Sequence, residues 1–133
     1  RGIELGYFNY VDEDVVVIAD AEQMKRVINN IIGNSVKYLD KKKGILNIRI
    51  KDDGDFIQVI IEDNGKGIAA KDLPYIFDRF YRVNQGRSRK TGGSGLGLSI
   101  VKNAVLFHKG QITAKNRKDG GLEFIFSLRK KLF

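Results

Sequence analysis

The segment Gly92-Gly93-Ser94-Gly95-Leu96-Gly97-Leu98, followed by Ser99-Ile100-Val101, is the strongest chemical signal in the chain. Glycines that feed a helix N-terminus offer free backbone N–H groups to an anion, and the helix dipole adds to their pull. No Gly-Lys-Ser/Thr follows, so this is not a Walker loop. A polar stretch rather than a strand precedes it, so it is not placed like a dinucleotide fingerprint either. A flexible hinge fits the same glycines, although the interleaved leucines suggest packing at fixed spacing. A second signal is Glu62-Asp63-Asn64-Gly65-Lys66-Gly67-Ile68, where two glycines allow close backbone approach and positive φ directly after a strand. A carboxylate at that strand end can accept the exocyclic amine of a base; an ordinary Asn-Gly loop with a solvent-facing Asp fits as well. The third is a helix on which Asn30, Asn34 and Lys37 share an arc of roughly 60°. The Asn34 amide oxygen could ligate a hard cation such as Mg²⁺, which keeps waters and shares phosphate oxygens, with Lys37 adding positive charge. A helix shoulder with two solvated amides is the alternative there.

The elements that must position these residues follow from local pattern. Ile3 to Tyr10 and Val15 to Ala19 are β-branched and aromatic around the acidic turn Asp12-Glu13-Asp14, which predicts a β-hairpin. Asp20-Ala21-Glu22-Gln23 has capping-box spacing and opens a helix that runs to about Leu39. Met24, Val27, Ile28, Ile31, Ile32, Ser35 and Leu39 fall on its buried arc. Strands at Ile45–Lys51 and Phe56–Glu62 are joined by Asp52-Asp53-Gly54-Asp55. A short helix is expected around Lys71–Asp78, then a polar, basic surface loop from Arg82 to Gly93. A helix from about Gly97 to Phe107 is stopped by His108-Lys109-Gly110, and a last hairpin pairs Gln111–Asn116 with Leu122–Leu128. The order predicts an α+β fold: helices on one face of a mostly antiparallel sheet.

Composition bounds the possibilities. The 133 residues suit one domain with one core, and 42% hydrophobic with 30% charged residues is ordinary for a globular chain. With no cysteine and one histidine, disulfides, thiol chemistry and thiolate metal sites are excluded. The longest apolar runs are far too short to cross a bilayer. The net charge of +8 attracts anions of many kinds, but the excess is scattered apart from Lys41-Lys42-Lys43 and Arg129-Lys130-Lys131, and decides nothing alone. The chain begins at Arg1, so it is expected to be a piece of something longer.

Four segments, in order, resemble the sequence boxes of sensor histidine kinases. Asn30-Ile31-Ile32-Gly33-Asn34-Ser35-Val36-Lys37-Tyr38 resembles the N box, and Asp63-Asn64-Gly65-Lys66-Gly67-Ile68 the G1 box. Ile76-Phe77-Asp78-Arg79-Phe80-Tyr81-Arg82 resembles the F box, and Gly93-Ser94-Gly95-Leu96-Gly97-Leu98 the G2 box. The resemblance covers nearly the whole chain and is to the catalytic, ATP-binding domain of bacterial two-component histidine kinases, in the GHKL superfamily with its Bergerat nucleotide fold. It implies a two-layer α/β sandwich with a mixed, mostly antiparallel sheet of about five strands on about three helices, all within residues 1–133.

The resemblance also implies roles. Asn34 would hold Mg²⁺ against the phosphates of ATP, with Asn30 lining the same site and Lys37 contacting phosphate. Tyr38 would flank the adenine, and Asp63 would accept its amino group. Gly65, Gly67 and Ile68 would pass close to base and ribose. Residues from about Arg82 to Gly92 would form a lid with Phe77 and Phe80 at its base, and Arg82 would steady the transferring phosphoryl group; Arg79 is a weaker candidate. Gly93, Ser94, Gly95, Leu96, Gly97 and Leu98 would meet the phosphates. One departure from the wider superfamily is Asn30: ATP-hydrolysing members place a glutamate base there, and an amide is a poor base. His108 is expected to be a helix C-terminal residue favoured by the dipole rather than a phosphoacceptor. The implied partner is therefore a histidine-bearing dimerisation domain of the same kinase and, indirectly, a response regulator, with the domain cytoplasmic and the full-length protein anchored in the inner membrane. No nucleic-acid or membrane contact is expected of the domain itself. A serine kinase of the anti-sigma type and a nucleotide-switched binding module are the alternatives; the Phe-Tyr-Arg ending of the F box favours the histidine kinase.

Overall fold

The computed structural model describes residues 2–40, 43–81 and 97–131. In chain order these form β1 (Gly2–Asn9), α1 (Ala21–Lys37), β2 (Lys43–Asp53), β3 (Phe56–Asp63), a 3₁₀ turn (Leu73–Tyr75), α2 (Gly97–Phe107), β4 (Ile112–Asn116) and β5 (Leu122–Arg129). The five strands make one sheet in the order β1-β2-β3-β5-β4. Only β1 and β2 run parallel; the other three pairings are antiparallel.

Alternation along the central strands builds the core. Ile57, Val59 and Ile61 of β3 stand opposite Leu128, Phe126 and Phe124 of β5, and all six are buried on the helical side. Val27 and Ile31 of α1 and Val101 and Val105 of α2 are fully buried against them. Phe77 meets Phe124 edge-on at 6.2 Å between ring centroids, so the segment after the 3₁₀ turn is anchored in the same core.

Both helices are closed by local chemistry. Asp20 caps α1, its Oδ1 accepting the N–H groups of Glu22 (3.0 Å) and Gln23 (3.1 Å). At the end of α2, Lys109 N–H donates to Leu106 O and Gly110 N–H to Val105 O, the paired bonds of a Schellman motif with Lys109 at φ 66°. His108 joins the two ends: Nδ1 lies 2.7 Å from Ala104 O, and Nε2 accepts the Asp20 N–H at 3.0 Å, 88 residues away. A carbonyl only accepts and an amide N–H only donates, so the ring serves here as the neutral tautomer with its proton on Nδ1. The residue stands at the helix C-terminus as expected, but through hydrogen bonds rather than as a cation. His108→Ala should lower stability by about 1 kcal/mol, seen as a lower urea midpoint; an unchanged midpoint would show that the tie contributes nothing net.

Two expectations are corrected. Ile3–Tyr10 does not form a hairpin with Val15–Ala19: β1 pairs in parallel with β2, from Gly2↔Lys43 to Asn9↔Ile50. Residues 15–19 instead run beside the end of β5, through a bridge between Val17 and Lys130 and the bond from Ile18 N–H to Arg129 O. Parallel neighbours need a long crossover, and α1 is that crossover, so the acidic turn is not the corner it resembled. The helix expected around Lys71–Asp78 shrinks to the Leu73–Tyr75 turn with Pro74 in its first positions. Pro74 has no N–H to donate, and apart from Leu73 to Ala69 the bonds around it span three residues, such as Tyr75 to Asp72 and Asp78 to Tyr75. Among the described residues the helical layer thus has two α-helices and this turn.

Candidate active site

The strand that ends in Asp63 sets the first half of the site. Glu62 and Asp63 are the last residues of β3 and point to opposite faces. Asp63 is 2 % exposed, on the helical side. Its Oδ1 accepts Gly65 N–H at 2.8 Å and Leu122 N–H at 3.2 Å. Its Oδ2 is buried and accepts nothing among the described residues. A buried carboxylate oxygen without a donor carries a desolvation penalty of about 1–3 kcal/mol or more, which a ligand amine would relieve.

The chain then turns under α1. Lys66 N–H donates to Tyr38 O at 3.4 Å, laying the loop against the helix's C-cap. Gly67 has φ 74°, a conformation that favours glycine, and a Cβ there would sit 2.5 Å from Asn116 Oδ1 and push on that amide. Ile68 is buried. Tyr38 closes this corner with Lys37 and Lys66, whose ammonium groups lie 5.3 and 5.5 Å from its ring centroid. Burial, and second the charge of Asp72, push the Tyr38 hydroxyl above its ordinary pKa, so it stays protonated at neutral pH. Asp72 also accepts the Tyr81 hydroxyl.

One turn back along α1, Asn34 Oδ1 is buried and accepts no hydrogen bond among the described residues. One further turn back, Asn30 Nδ2 reaches Gly97 O at 3.4 Å, which brings the amide face of α1 to the start of α2. Leu98 packs partly buried on the core. One orphaned amide oxygen suits an ion that takes most of its ligands from water and phosphate. Among the described residues no group of three His, Asp or Glu side chains could hold a metal by itself.

The sequence profile of the family described as histidine kinase-, DNA gyrase B-, and HSP90-like ATPase matches residues 19–132. The chain belongs to this family. This ATPase domain is 37% identical over 124 residues to the sensor histidine kinase WalK of Bacillus subtilis (strain 168), an alignment covering 92% of the chain and 20% of WalK. It is 38% identical over 128 residues to the sensor histidine kinase CusS of Escherichia coli (strain K12), covering 96% of the chain and 26% of CusS. The domain therefore spans between 20% and 26% of the length of these curated relatives. Among solved structures, the mycobacterial sensor histidine kinase MprB superposes with a TM-score of 0.80 at 26% identity, over 98% of this chain and 86% of that one. The catalytic domain of the histidine kinase ThkA, in a nucleotide-free form, gives 0.80 at 27%, over 96% and 80%. The α+β sandwich is thus that of histidine kinase catalytic domains.

Within this ATPase domain, the structure gathers Asp63, Gly65, Gly67, Ile68 and Tyr38 at one corner, with Lys37 beside them, and joins Asn30 to Gly97. Phe80 is 58 % exposed at φ 67°, its ring 5.0 Å from the Arg79 guanidinium. Arg82, Gly93, Ser94, Gly95 and Leu96, with the proposed lid, lie outside the described residues.

Several residues that shape the corner carried no role in the sequence reading. Asn64 accepts Ile45 N–H at 2.8 Å and donates to Lys43 O at 3.2 Å, tying the loop to the start of β2. Its signal was visible: an Asn directly after a strand-end Asp, where a short amide can satisfy loose backbone. Asn116 ends β4, and Arg117 and Gly121 lie in the turn that follows; Lys118-Asp119-Gly120-Gly121 reads as a turn in the sequence, but nothing local shows that these residues contact the Asp63 loop. Glu62, on the outer face, takes Arg49 Nε at 2.7 Å and lies 3.6 Å from Arg117 Nε. These cations offset Glu123, which stands directly opposite Glu62 in the ladder.

Proposed function

We infer that residues 1–133 act as an ATP-binding catalytic domain that binds Mg-ATP and donates the γ-phosphoryl group to a histidine on a separate dimerisation domain of the same kinase. The observation that carries this reading is a pair of buried oxygens, Asp63 Oδ2 and Asn34 Oδ1, that have no hydrogen-bond partner among the described residues, in a family of ATPases. Asp63 Oδ2 accepts the adenine amino group and Tyr38 flanks the base, while Gly65, Gly67 and Ile68 line base and ribose. Asn34 supplies one ligand to magnesium, with Asn30 and Lys37 on the same arc directed to the phosphates; bound there, the ion neutralises phosphate charge. Arg82 and the Gly93–Leu98 segment complete the phosphate end, and Phe80 the base of the lid.

In the transfer, the acceptor imidazole nitrogen attacks the γ-phosphorus, a P–N bond forms, and the bond to the β–γ bridging oxygen breaks as ADP leaves with its electron pair. Asn30 cannot take a proton from water as a carboxylate would, so hydrolysis is slow relative to transfer. The phosphohistidine then serves a response regulator. The domain works in the cytoplasm, in a kinase anchored in the inner membrane; among the described residues, no helix is long and apolar enough to cross a membrane itself.

Incubating the domain with γ-labelled ATP and a purified histidine-bearing dimerisation domain tests this. Acid-labile, base-stable label on the partner is the expected result; acid-stable label on serine, or nucleotide binding with no transfer, would overturn it. Asn34→Ala should reduce the magnesium-dependent gain in ATP affinity by about tenfold while leaving affinity in excess chelator unchanged. An unaltered magnesium dependence would remove Asn34 from the metal's ligands.

A further inference from the structure

The end of β4 and the β4–β5 turn reach past β5 to hold the loop that follows β3, at Asp63 and at Ile68. Asn116 makes a two-point clamp on Ile68, Oδ1 accepting its N–H at 2.9 Å and Nδ2 donating to its carbonyl at 2.6 Å. Arg117 donates from Nη1 to Asp63 O at 2.9 Å and to Gly120 O at 3.4 Å, while its Nε stands 3.6 Å from Glu62 Oε2. Glu62 is itself 8 % exposed and bonded to Arg49, so the guanidinium is anchored rather than loosely solvated. The turn is in turn closed on itself, Arg117 N–H donating to Gly121 O at 2.8 Å.

We propose that Arg117 and Asn116 are positioning residues that set the base selectivity of this site, by fixing the angle at which Asp63 Oδ2 meets the base. Glu62 and Asp63 are neighbours on opposite faces of one strand, and Arg117 holds the side chain of one and the carbonyl of the other. That pair of contacts restrains rotation of the strand end about its own axis, the motion that would swing Oδ2 out of line. The Asn116 clamp restrains the far side of the same loop through Ile68. A carboxylate fixed there accepts from a 6-amino group and repels a 6-carbonyl; one free to rotate discriminates less, because it can turn away from the wrong base.

This inference rests on Asp63 being the base acceptor, and the test separates the two. Affinities for ATP and for inosine triphosphate, which carries a carbonyl in place of the amine, are measured for the parent, Asp63→Asn, Arg117→Ala, Arg117→Lys and Asn116→Ala, with thermal midpoints alongside. Arg117→Ala and Asn116→Ala should each lower the ATP-to-ITP affinity ratio about five- to tenfold. Arg117→Lys keeps a cation near Glu62 but cannot reach the Asp63 carbonyl at the same time, so it should recover stability without recovering the ratio. Equal losses for the two nucleotides, or an unchanged ratio in Arg117→Lys and Asn116→Ala, overturn the positioning role. If Asp63→Asn itself leaves the ratio intact, the base-acceptor reading is what fails.

Discussion

Asp63→Asn is expected to weaken ATP binding by about a hundredfold while leaving the domain folded. The asymmetry of the carboxylate gives the reason. Oδ1 is committed to two backbone donors, Gly65 N–H and Leu122 N–H, and the asparagine carbonyl can replace it there. The amide nitrogen then occupies the place of Oδ2 and presents hydrogens to the amino group of adenine, which also donates. A charge-assisted hydrogen bond of about 1.5–3 kcal/mol is lost, and the donor–donor contact adds to it; every 1.4 kcal/mol is about tenfold in affinity. Stability should move little, because removing a buried carboxylate oxygen that has no donor among the described residues offsets any weakening of the two backbone bonds. Calorimetric titration with ATP, beside a thermal melt, measures both. Undiminished affinity would sink the assignment, whereas a collapsed melt would recast Asp63 as a structural residue.

Gly121→Ala should be the most destabilising single methyl in the described part of the chain. Gly121 has φ 96°, and a Cβ built there lies 1.9 Å from Asp63 O, 2.7 Å from Asp63 C and 3.0 Å from Asn64 Cα. All three are backbone atoms of the loop that carries the candidate base acceptor, so no side chain can swing aside. The left-handed conformation alone costs an L-residue about 1–2 kcal/mol, and displacing β3's end raises the total to about 3 kcal/mol or more. For a domain of this size that is a fall in melting temperature of about 10 °C. The neighbouring Gly120 is the internal control: its φ is 103°, yet nothing lies within 4 Å of its Cβ position. Gly120→Ala should carry the conformational term alone, so equal losses at the two positions would show that the approach to Asp63 is not what matters. Any folded Gly121→Ala protein should also bind ATP more weakly, because the methyl pushes on the Asp63 carbonyl.

The parts of the site that were legible share one property: each depends on residues close together in the chain. The cap at Asp20, the buried arc of Met24, Val27, Ile31 and Ser35, the end of α2 and the last hairpin all rest on spacings of a few residues, where helical and strand periods act directly. Asp63 beside Gly65 and Gly67 is legible for the same reason. The early hairpin failed because β-branched runs around an acidic turn satisfy the local rule, while the competing pairing of β1 with β2 is decided by α1 lying between them. The short helix failed at Pro74, whose missing N–H leaves isolated turns.

The sequence by itself determined the order of the amide-bearing helix, the strand-end carboxylate and the glycine-rich loops, and with it the family and the chemistry those side chains can do. Tertiary structure alone decided which oxygens are left without partners and what holds them still. Among the described residues Asp63 Oδ2 has no donor, while Oδ1 takes Leu122 N–H, 59 residues later, as well as the nearby Gly65 N–H, and the carbonyl of Asp63 is held by Arg117, 54 residues later. Such contacts come from strand order and register, in which β5 lies beside β3 although α2 and β4 separate them along the chain. No local period encodes that adjacency, because it comes from the pairing of β5 with β3, strands far apart in the chain.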